Sequence, residues 1–450
     1  MKNRKSNIIM HDVTIRDFLE KIQQTKAKVL YVVDESHCLI GSVTEGDYRR
    51  FILRNNKLPL SISDIINPEP RYFAKKDFKN GKLHIHDMNR GEIPILDENQ
   101  KICGFYPNNY KFRTNTNNPD KVLSIAPTRI SFAGGGSDVD YWFEKNLGCV
   151  VNLAIAKYAR VSISRNYSDK VYINSLNTGE KIELHISELN KYKKNKLNLV
   201  ISCLKRCNIQ EGLNIEIFCD FETGTGLGGS SSLVAALLKG IAKLFNYSLT
   251  NMELINLAYD VERVDAKING GWQDQIVTVN GGLCVSNFSP MGFRTYKIDL
   301  NQRYHDYLNS CLFISRIGEE RKSSEIHEHQ KNMASSKTYS NKMKKIVKLA
   351  NECVDLIGQE KIELLGKILH EGWLLKKDLG KFISNQLVNN RYDLLIENGA
   401  MGGRLLGAGG AGFILIYVDP NSQHDFIKKC KTYNIPIERI QIDLEGVSTL

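Results

Sequence analysis

Residues 220–232 constrain the fold of this chain most, because they read Asp-Phe-Glu-Thr-Gly-Thr-Gly-Leu-Gly-Gly-Ser-Ser-Ser between two different patterns. The run from Leu213 to Phe221 predicts a strand before the loop, and the apolar spacing from Leu233 to Phe245 predicts a helix after it. Glycines that turn the backbone at a helix start leave amide hydrogens free to bind phosphate. The segment therefore predicts a nucleotide-binding loop made of Gly224, Thr225, Gly226, Gly228, Gly229, Ser230, Ser231 and Ser232.

Two common phosphate-binding motifs do not fit this loop. Gly224, Gly226 and Gly229 satisfy the pattern G-x-G-x-x-G, which expects an acidic residue at the end of a second strand about 20 residues later. The nearest acid, Glu253, instead belongs to a Thr250-Asn-Met-Glu capping box that opens another helix. A P-loop is excluded because no Lys-Ser or Lys-Thr follows the glycines.

Two further glycine clusters lie far from this loop in the sequence. Residues 126–138 read Ala-Pro-Thr-Arg-Ile-Ser-Phe-Ala-Gly-Gly-Gly-Ser-Asp, and residues 402–413 read Gly-Gly-Arg-Leu-Leu-Gly-Ala-Gly-Gly-Ala-Gly-Phe. Three such loops predict one site that is assembled from both halves of a domain. The order and the amino-acid sequences of the three loops resemble those of the GHMP small-molecule kinases, and the resemblance covers about residues 120–450.

This resemblance implies an α+β, two-layer fold. Residues 121–290 would form an ATP-binding domain similar to domain 2 of ribosomal protein S5, and residues 291–450 would form an α+β C-terminal domain. The sequence patterns predict helices from Met252 to Ile268 and from Asn421 to Thr432, a mostly helical stretch over residues 319–380, and a strand from Arg439 to Leu444.

Within the superfamily, three segments resemble the D-glycero-D-manno-heptose 7-phosphate kinases: the Ala-Gly-Gly-Gly-Ser-Asp run, Ile314-Ser-Arg-Ile, and residues 370–377. This implies ATP-dependent phosphorylation of the anomeric hydroxyl of that sugar phosphate. The segment 270–275, Gly-Gly-Trp-Gln-Asp-Gln, also resembles L-fucokinases, so another sugar kinase is the alternative. A nonenzymatic nucleotide sensor is a second alternative, which the joint presence of Arg129, Glu262 and Asp274 disfavours.

The resemblance also assigns roles to individual residues. Asp274 matches the catalytic aspartate that takes or orients the proton of the attacking hydroxyl, and Arg129 matches the cation of the first glycine cluster. Ser230 and Glu262 match the ligands of Mg²⁺, which prefers oxygen donors and keeps several waters. In the first and third clusters the implied substrate-binding residues are Gly135, Gly136, Ser137, Asp138, Gly409 and Gly410.

An acceptor that already carries a phosphate needs basic partners as well. Such a group brings about −2 charge at neutral pH, which Arg or Lys side chains must meet. The candidates are Arg316, Lys376 and Lys377. Two departures from the family pattern stand out: Glu222 replaces a common proline near the expected triphosphate, and Arg404 stands where lysine is common.

Residues 1–114 form a separate module, followed by a polar linker at residues 115–120. The runs 29–34 and 39–47 resemble one CBS motif, and 93–97 with 101–105 resembles the strands of a second copy, which together imply a small α/β pair. Thr44 and Asp47 could bind the ribose of an adenine nucleotide. A structural or dimerising role, which would give a homodimer, is the favoured alternative.

The composition and charge of the chain argue against several other kinds of protein and site. The formal charge of +11 comes from scattered basic residues, which suits anionic small substrates and does not indicate nucleic acid. Ten cysteines without a C-x-x-C pair predict reduced thiols in a cytoplasmic protein. His327 and His329 lie in a charged segment predicted to be helical, so a zinc site is not expected, and no apolar run of about 18 residues predicts a membrane span.

Overall fold

A computed structural model of the protein describes residues 7–25, 27, 29–55, 57–70, 72–74, 93–106, 119–192, 197–222, 224–318, 332–334, 336–380 and 382–449. The chain divides into two compact units, residues 1–117 and 118–450. His327, His329 and most of the expected linker lie outside the described residues.

The first unit contains the same arrangement of three strands twice. The first set is β1 Ile8–Met10, β2 Leu30–Val33 and β3 Leu39–Val43, and the second is β4 Phe73–Ala74, β5 Ile93–Leu96 and β6 Ile102–Tyr106. In each set the first strand is parallel to the second, and the second is antiparallel to the third. The two β-turns also match, since Asp34 and Asp97 each accept a hydrogen bond from the backbone N–H four residues later.

Two helices accompany the first set, α1 Ile15–Thr25 and α2 Glu45–Asn55. Each begins with the same cap, in which a threonine and an aspartate three residues later bond to each other. Thr14 Oγ1 donates to Asp17 Oδ2 at 2.6 Å, and Thr44 Oγ1 donates to Asp47 Oδ2 at 2.6 Å. Such caps satisfy amide hydrogens that the first helical turn leaves unpaired.

The second unit is built around an eight-stranded sheet. Its strands are β7 Lys121–Ala133, β8 Gly148–Arg165, β9 Lys170–Ser175, β10 Lys181–His185, β11 Leu213–Cys219, β12 Leu283–Ser289, β13 Gly292–Ile298 and β18 Ser448–Thr449. The 18-residue strand β8 organises the sheet: β7 pairs along one edge, while β11 and β12 share the other. Strand β13 lies in residues 291–450, which were expected to form the C-terminal domain, but it pairs with β12 in this sheet.

A smaller antiparallel sheet and a set of helices complete the second unit. The small sheet runs in the order β15 Gly402–Leu405, β16 Gly412–Tyr417, β14 Leu312–Ile317 and β17 Glu438–Arg439. The helices are α3 Asp140–Phe143, α4 Asn198–Arg206, α5 Gly229–Leu244, α6 Asn251–Asp260, α7 Gln273–Asn280, α8 Gln302–Cys311, α9 Lys337–Gly358, α10 Leu365–Lys377, α11 Gln386–Glu397 and α12 Gln423–Thr432. This mixture confirms the predicted α+β class.

Apolar cores lie on both faces of the large sheet. On one face, α4 and α5 bury side chains such as Leu204 and Leu237 against Val161 and Ile215. On the other face, α9 and α10 bury Cys353 and Leu369 with residues of the small sheet. The functional loops at the strand ends are therefore fixed from both sides.

Several local expectations can be compared with the structure. The capping box is confirmed: Thr250 Oγ1 accepts from the N–H of Glu253, and the Glu253 carboxylate accepts from the N–H of Thr250 at 2.8 Å. The helix expected from Met252 to Ile268 is α-helical only to Asp260 and continues as a π-helix over Val261–Asp265. The predicted strand from Arg439 to Leu444 was wrong in extent, because β17 ends at Arg439.

Candidate active site

A cavity of about 690 Å³ lies within the second unit, and residues of all three glycine clusters line it. The predicted nucleotide-binding loop contributes Gly224, Thr225, Gly226, Gly228, Gly229 and Ser230 to its lining. Gly224, Gly226 and Gly228 have positive φ values of 71°, 80° and 76°, a backbone region that glycine enters without strain. The loop ends where α5 begins at Gly229, so that unpaired amide hydrogens of the first turn lie beside the cavity. This geometry can hold an anion such as a triphosphate.

The three serines at the start of α5 differ in their surroundings. Ser230 lines the cavity. Ser231 is buried and its hydroxyl donates to Glu262 Oε2 at 2.6 Å, while the Ser232 hydroxyl donates to the carbonyl of Pro127. Of the three, Ser230 alone is therefore placed to contact a ligand, and the other two tie the helix to neighbouring elements.

The third cluster touches the nucleotide-binding loop through its backbone. A β-carbon on Gly226 would lie 2.7 Å from the carbonyl oxygen of Leu406, and one on Gly407 would lie 2.6 Å from Cα of Gly226. Side chains at these positions are excluded, so the two loops can pack directly together. Gly409 lines the cavity and Gly410 does not.

Arg129 and Asp274 form an ion pair at the cavity wall. The Arg129 Nε and Nη2 atoms lie 2.7 Å and 2.6 Å from Asp274 Oδ1, and Nη1 donates to the carbonyl of Gly226 at 2.6 Å. Arg129 is 4% exposed, whereas the Asp274 side chain is 19% exposed. The structure thus brings together the two residues expected to be catalytic and attaches them to the nucleotide-binding loop.

Glu262, the expected metal ligand, is fully buried in the π-helix and does not itself line the cavity. Its Oε2 accepts hydrogen bonds from Ser231 and Gln275, while Oε1 has no hydrogen-bond partner among the described residues and lies 3.9 Å from Arg263 Nη1. Across the part of the chain that is described, no three His, Cys, Asp or Glu side chains form a metal-binding group. A carboxylate oxygen without a hydrogen-bond partner is the type of ligand that Mg²⁺ accepts, and in this structure Glu262 is connected to the first turn of α5 through Ser231.

Asp138 connects the first glycine cluster to the start of α7, and with Gly135, Lys376 and Arg404 it lines the part of the cavity where the acceptor is expected, here called the acceptor end. Its carboxylate accepts hydrogen bonds from the N–H groups of Gly136 and Gln273, both at 3.1 Å. Burial, with a smaller contribution from Asp274, raises the pKa of Asp138. Gly135 and Gly136 line the cavity, whereas Ser137 is buried and its hydroxyl donates to the carbonyl of Gly134.

Of the three basic residues expected to meet an acceptor phosphate, Lys376 lines the cavity and Arg316 and Lys377 do not. The Lys376 ammonium donates to the carbonyls of Leu405 and Gly407, at 3.3 Å and 2.6 Å. Burial, with added repulsion from Arg404, lowers the pKa of Lys376 well below its ordinary value. In the described part of the chain, the hydrogen bonds of the Lys376 side chain therefore go to backbone carbonyls.

Arg404 is a second buried cation at this end. It is 3% exposed, and its Nη1 donates to the carbonyl of Phe132 at 3.2 Å. Burial, followed by repulsion from Arg129, lowers the pKa of Arg404 to about 10. Two buried cations without a carboxylate partner are costly unless an anion approaches them.

Glu222 and Arg316 form a salt bridge with each other. The two side chains are 64% and 45% exposed, so the pair lies at the surface, and Glu222 also lines the cavity. The carboxylate that appeared unfavourable beside a triphosphate therefore already has a cationic partner. The same salt bridge gives Arg316 a negative partner, so its charge is balanced without an acceptor phosphate.

The other end of the cavity was not identified from the sequence. Its walls include Leu197, Leu199, Ile217 and Leu233, which provide an apolar surface that can hold an adenine base. Asn177 fixes the edge of this pocket, because its side chain exchanges two hydrogen bonds with the backbone of Cys219, at 2.8 Å and 2.6 Å. No motif marks these residues, since they come from three separate elements.

Comparisons with known proteins agree with this geometry. The sequence model of the family described as "GHMP kinases N terminal domain" matches residues 195–282. The D-glycero-alpha-D-manno-heptose 7-phosphate kinase of Campylobacter jejuni is 28% identical over 339 residues, which cover 73% of this chain and 98% of that protein. The bifunctional fucokinase/GDP-fucose pyrophosphorylase of Arabidopsis thaliana is 26% identical over 316 residues, 66% of this chain and 30% of that enzyme.

Solved structures show the same fold. A D-glycero-D-manno-heptose 1-phosphate kinase from Bacteriodes thetaiotaomicron superposes with a TM-score of 0.61 at 23% identity, covering 73% of this chain and 98% of that one. A Lactococcus lactis galactokinase complexed with galactose gives a TM-score of 0.61 at 16% identity, covering 75% of this chain and 96% of that one.

Within the described residues, no helix has the length and hydrophobicity needed to span a bilayer. Every cysteine whose side chain is described is a free thiol.

Proposed function

We propose that this chain, a member of the GHMP kinase superfamily that phosphorylates a sugar, converts D-glycero-D-manno-heptose 7-phosphate into the 1,7-bisphosphate with ATP. The observation that carries the proposal is the Arg129–Asp274 ion pair, which is bonded to the nucleotide-binding loop and lines the same cavity as the acceptor-end residues. The similarity to the Campylobacter jejuni heptose 7-phosphate kinase supports this choice of acceptor.

Phosphoryl transfer depends on orienting the nucleophile and compensating charge. Both Arg129 contacts fall on Oδ1 of Asp274, so Oδ2 is the oxygen left to accept the proton of the anomeric hydroxyl. That hydroxyl oxygen bonds to the γ-phosphorus, the bond from this phosphorus to the β–γ bridging oxygen breaks, and ADP leaves. Arg129 stabilises the negative charge that develops between the two substrates.

Ser230 and Glu262 are the residues that would hold Mg²⁺. When bound, the ion supplies positive charge to the triphosphate. Arg263 Nη1 lies 3.9 Å from Oε1 of the buried Glu262 carboxylate and places positive charge beside it.

The buried cations support an acceptor that is already phosphorylated. Lys376 and Arg404 line the acceptor end of the cavity without a carboxylate partner among the described residues. A sugar phosphate brings the compensating charge, whereas fucose brings hydroxyls only. An L-fucokinase-like activity is the second candidate, favoured by the similarity to the Arabidopsis thaliana enzyme.

The first unit resembles a pair of CBS motifs, and the duplicated strand pairing supports that interpretation. Both carboxylate oxygens of Asp47 accept hydrogen bonds from residues of the same helix start. Oδ2 accepts from Thr44, and Oδ1 accepts from Arg50. A structural or dimerising role is therefore the proposal for this unit, with adenine-nucleotide binding as its alternative. The free thiols support the proposal of a cytoplasmic location.

An acceptor screen tests the proposed function. The full chain, ATP and Mg²⁺ are incubated with heptose 7-phosphate, heptose 1-phosphate, free heptose, L-fucose or galactose, and ADP release is measured together with the phosphorylated position. We expect the highest kcat/KM for heptose 7-phosphate. A higher value for an unphosphorylated sugar would refute the acceptor assignment and favour the fucokinase-like alternative.

A further inference from the structure

A small polar hollow lies beside Gly135 at the acceptor end of the cavity. A β-carbon built on Gly135 would lie 3.4 Å from Ser131 Oγ, 3.6 Å from Arg404 Nη2 and 3.7 Å from Gln273 Oε1. These are ordinary van der Waals distances, and Gly135 is not among the glycines with positive φ. Three polar atoms from three separate elements therefore surround the open side of Gly135, and no side chain of Gly135 separates them from the cavity.

Several buried polar atoms of the side chains around Gly135 lack hydrogen-bond partners. Among the described residues, Ser131 Oγ, Gln273 Oε1 and Arg404 Nε are buried atoms without a partner, and both amide atoms of Asn152 are unpaired as well. Asn152 is the cross-strand neighbour of Ser131 in the pairing of β7 with β8. Buried polar groups almost always have partners, so five unpaired atoms in one region indicate a polar occupant.

The chemistry of the three nearest atoms selects a hydroxyl group. Arg404 can only donate hydrogen bonds, and the Ser131 hydroxyl can donate or accept. The Gln273 oxygen accepts, because its Nε2 is directed to Asp138 Oδ1 at 3.4 Å. An occupant must therefore donate and accept together. A sugar hydroxyl satisfies all three partners, because its oxygen accepts from Arg404 and its hydrogen donates to the Gln273 oxygen.

The hollow is also close to the reacting group. Gln273 directly precedes Asp274 at the start of α7, and its backbone N–H is bonded to Asp138. A hydroxyl held here would fix the sugar ring relative to the Asp274 carboxylate. Since productive geometry governs the rate of such transfers, this contact would act on the transition state as well as on binding.

We propose that Ser131, Gln273 and Arg404 form a hydroxyl-recognition subsite beside Gly135, which selects among sugars that differ at one non-reacting hydroxyl. The proposal rests on the proposed sugar kinase function but not on the identity of the sugar. It assigns Ser131 and Gln273 to acceptor specificity and explains why Gly135 has no side chain: a methyl group there would project between the three polar atoms and block the approach of a ligand hydroxyl.

The test compares wild type with Gly135→Ala, Ser131→Ala and the control Gly358→Ala. The control adds a methyl group at an exposed helix end where nothing lies within 4 Å. The full-length proteins are assayed with the best acceptor of the screen and with its monodeoxy analogues. If heptose 7-phosphate is not accepted, another sugar takes its place, so failure of the acceptor assignment remains distinguishable from failure of the subsite.

We expect wild type and Gly358→Ala to lose ~10-fold or more in kcat/KM with one deoxy analogue, because one hydroxyl contact to polar partners is lost. Gly135→Ala should lose ~10- to 100-fold with the intact acceptor, keep its KM for ATP and its melting temperature, and no longer distinguish that analogue. Ser131→Ala should reduce the ratio of kcat/KM for the intact acceptor to kcat/KM for that deoxy analogue. If the wild type discriminates against no deoxy analogue at a non-reacting position, or if both variants retain the discrimination, the hollow holds only water and the proposal is wrong.

Discussion

Replacing Asp274 by asparagine separates its catalytic role from its role in the ion pair. Arg129 makes two contacts of 2.7 Å and 2.6 Å with one carboxylate oxygen of Asp274 and is 4% exposed. Asparagine keeps the shape of the side chain but can neither take a proton nor balance the guanidinium. The asparagine Oδ1 can still accept hydrogen bonds from Arg129, as the carbonyl of Gly226 does, but the guanidinium loses the carboxylate charge.

Two effects of different size follow. Loss of a positioned base lowers kcat by at least ~10², which corresponds to ~2.7 kcal/mol in the barrier. Removing one partner of a buried ion pair costs ~3–5 kcal/mol of stability. Because the Asp274 side chain is 19% exposed, water can solvate part of the stranded charge, and we expect the lower end of that range.

The assay combines steady-state kinetics, ATP titration and thermal unfolding. Asp274→Asn should show the loss in kcat, nearly unchanged ATP affinity and a lower melting temperature. The double variant with Arg129→Met should regain stability but not activity, since it removes the unpaired cation. As a matched control, Asp265→Asn disrupts the Arg206–Asp265 pair, whose residues do not line the cavity, and should leave kcat unchanged. Turnover near the wild-type value in Asp274→Asn would exclude Asp274 from the mechanism, and an unchanged melting temperature would refute the argument about the ion pair.

Three further predictions concern the metal and the buried cations. Glu262→Gln should shift the Mg²⁺ dependence of activity to higher concentration while metal-free ATP binding stays unchanged; an identical magnesium titration would show that the carboxylate has no metal role. Lys376→Met and Arg404→Met should each raise the acceptor KM ~10-fold or more, equivalent to ~1.4 kcal/mol, with little change in the KM for ATP, whereas Lys377→Met, outside the cavity lining, should not. Because burial holds the pKa of Lys376 below its unfolded value of 10.5, the unfolded state binds more protons between the two values. The stability of wild type relative to Lys376→Met should therefore rise as the pH increases towards 10.5, and denaturant titrations that show the opposite slope would contradict the assignment.

The sequence predicted the glycine-rich loops well because their chemistry is local. Positive φ values at Gly224, Gly226 and Gly228 and the helix start at Gly229 follow from residues adjacent in the chain. The joint placement of Arg129 and Asp274, 145 residues apart, needed the family resemblance, because no local pattern shows that they meet.

What the sequence could not show depends on contacts between distant strands and helices. Ser131 and Gln273 form the hollow only because β7 and α7 meet there, and neither residue type marks a site by itself. Glu222 and Arg316 each raised a separate question in the sequence, and one salt bridge between them answers both. The π-helix that carries Glu262 was hidden as well, because one widened turn leaves the helical apolar spacing on either side intact.

The contact between the nucleotide-binding loop and the third glycine cluster limits how such an enzyme can be altered. Gly226 and Gly407 pack backbone to backbone, so neither position tolerates even a methyl group. The contact leaves no space into which one loop could move when the other changes. Laboratory evolution towards new sugars should therefore accumulate substitutions around Gly135, where space and unpaired polar groups exist, and leave this junction unchanged. Chimaeras that exchange one loop between distant kinases should fail, whereas those that exchange both loops together should fold.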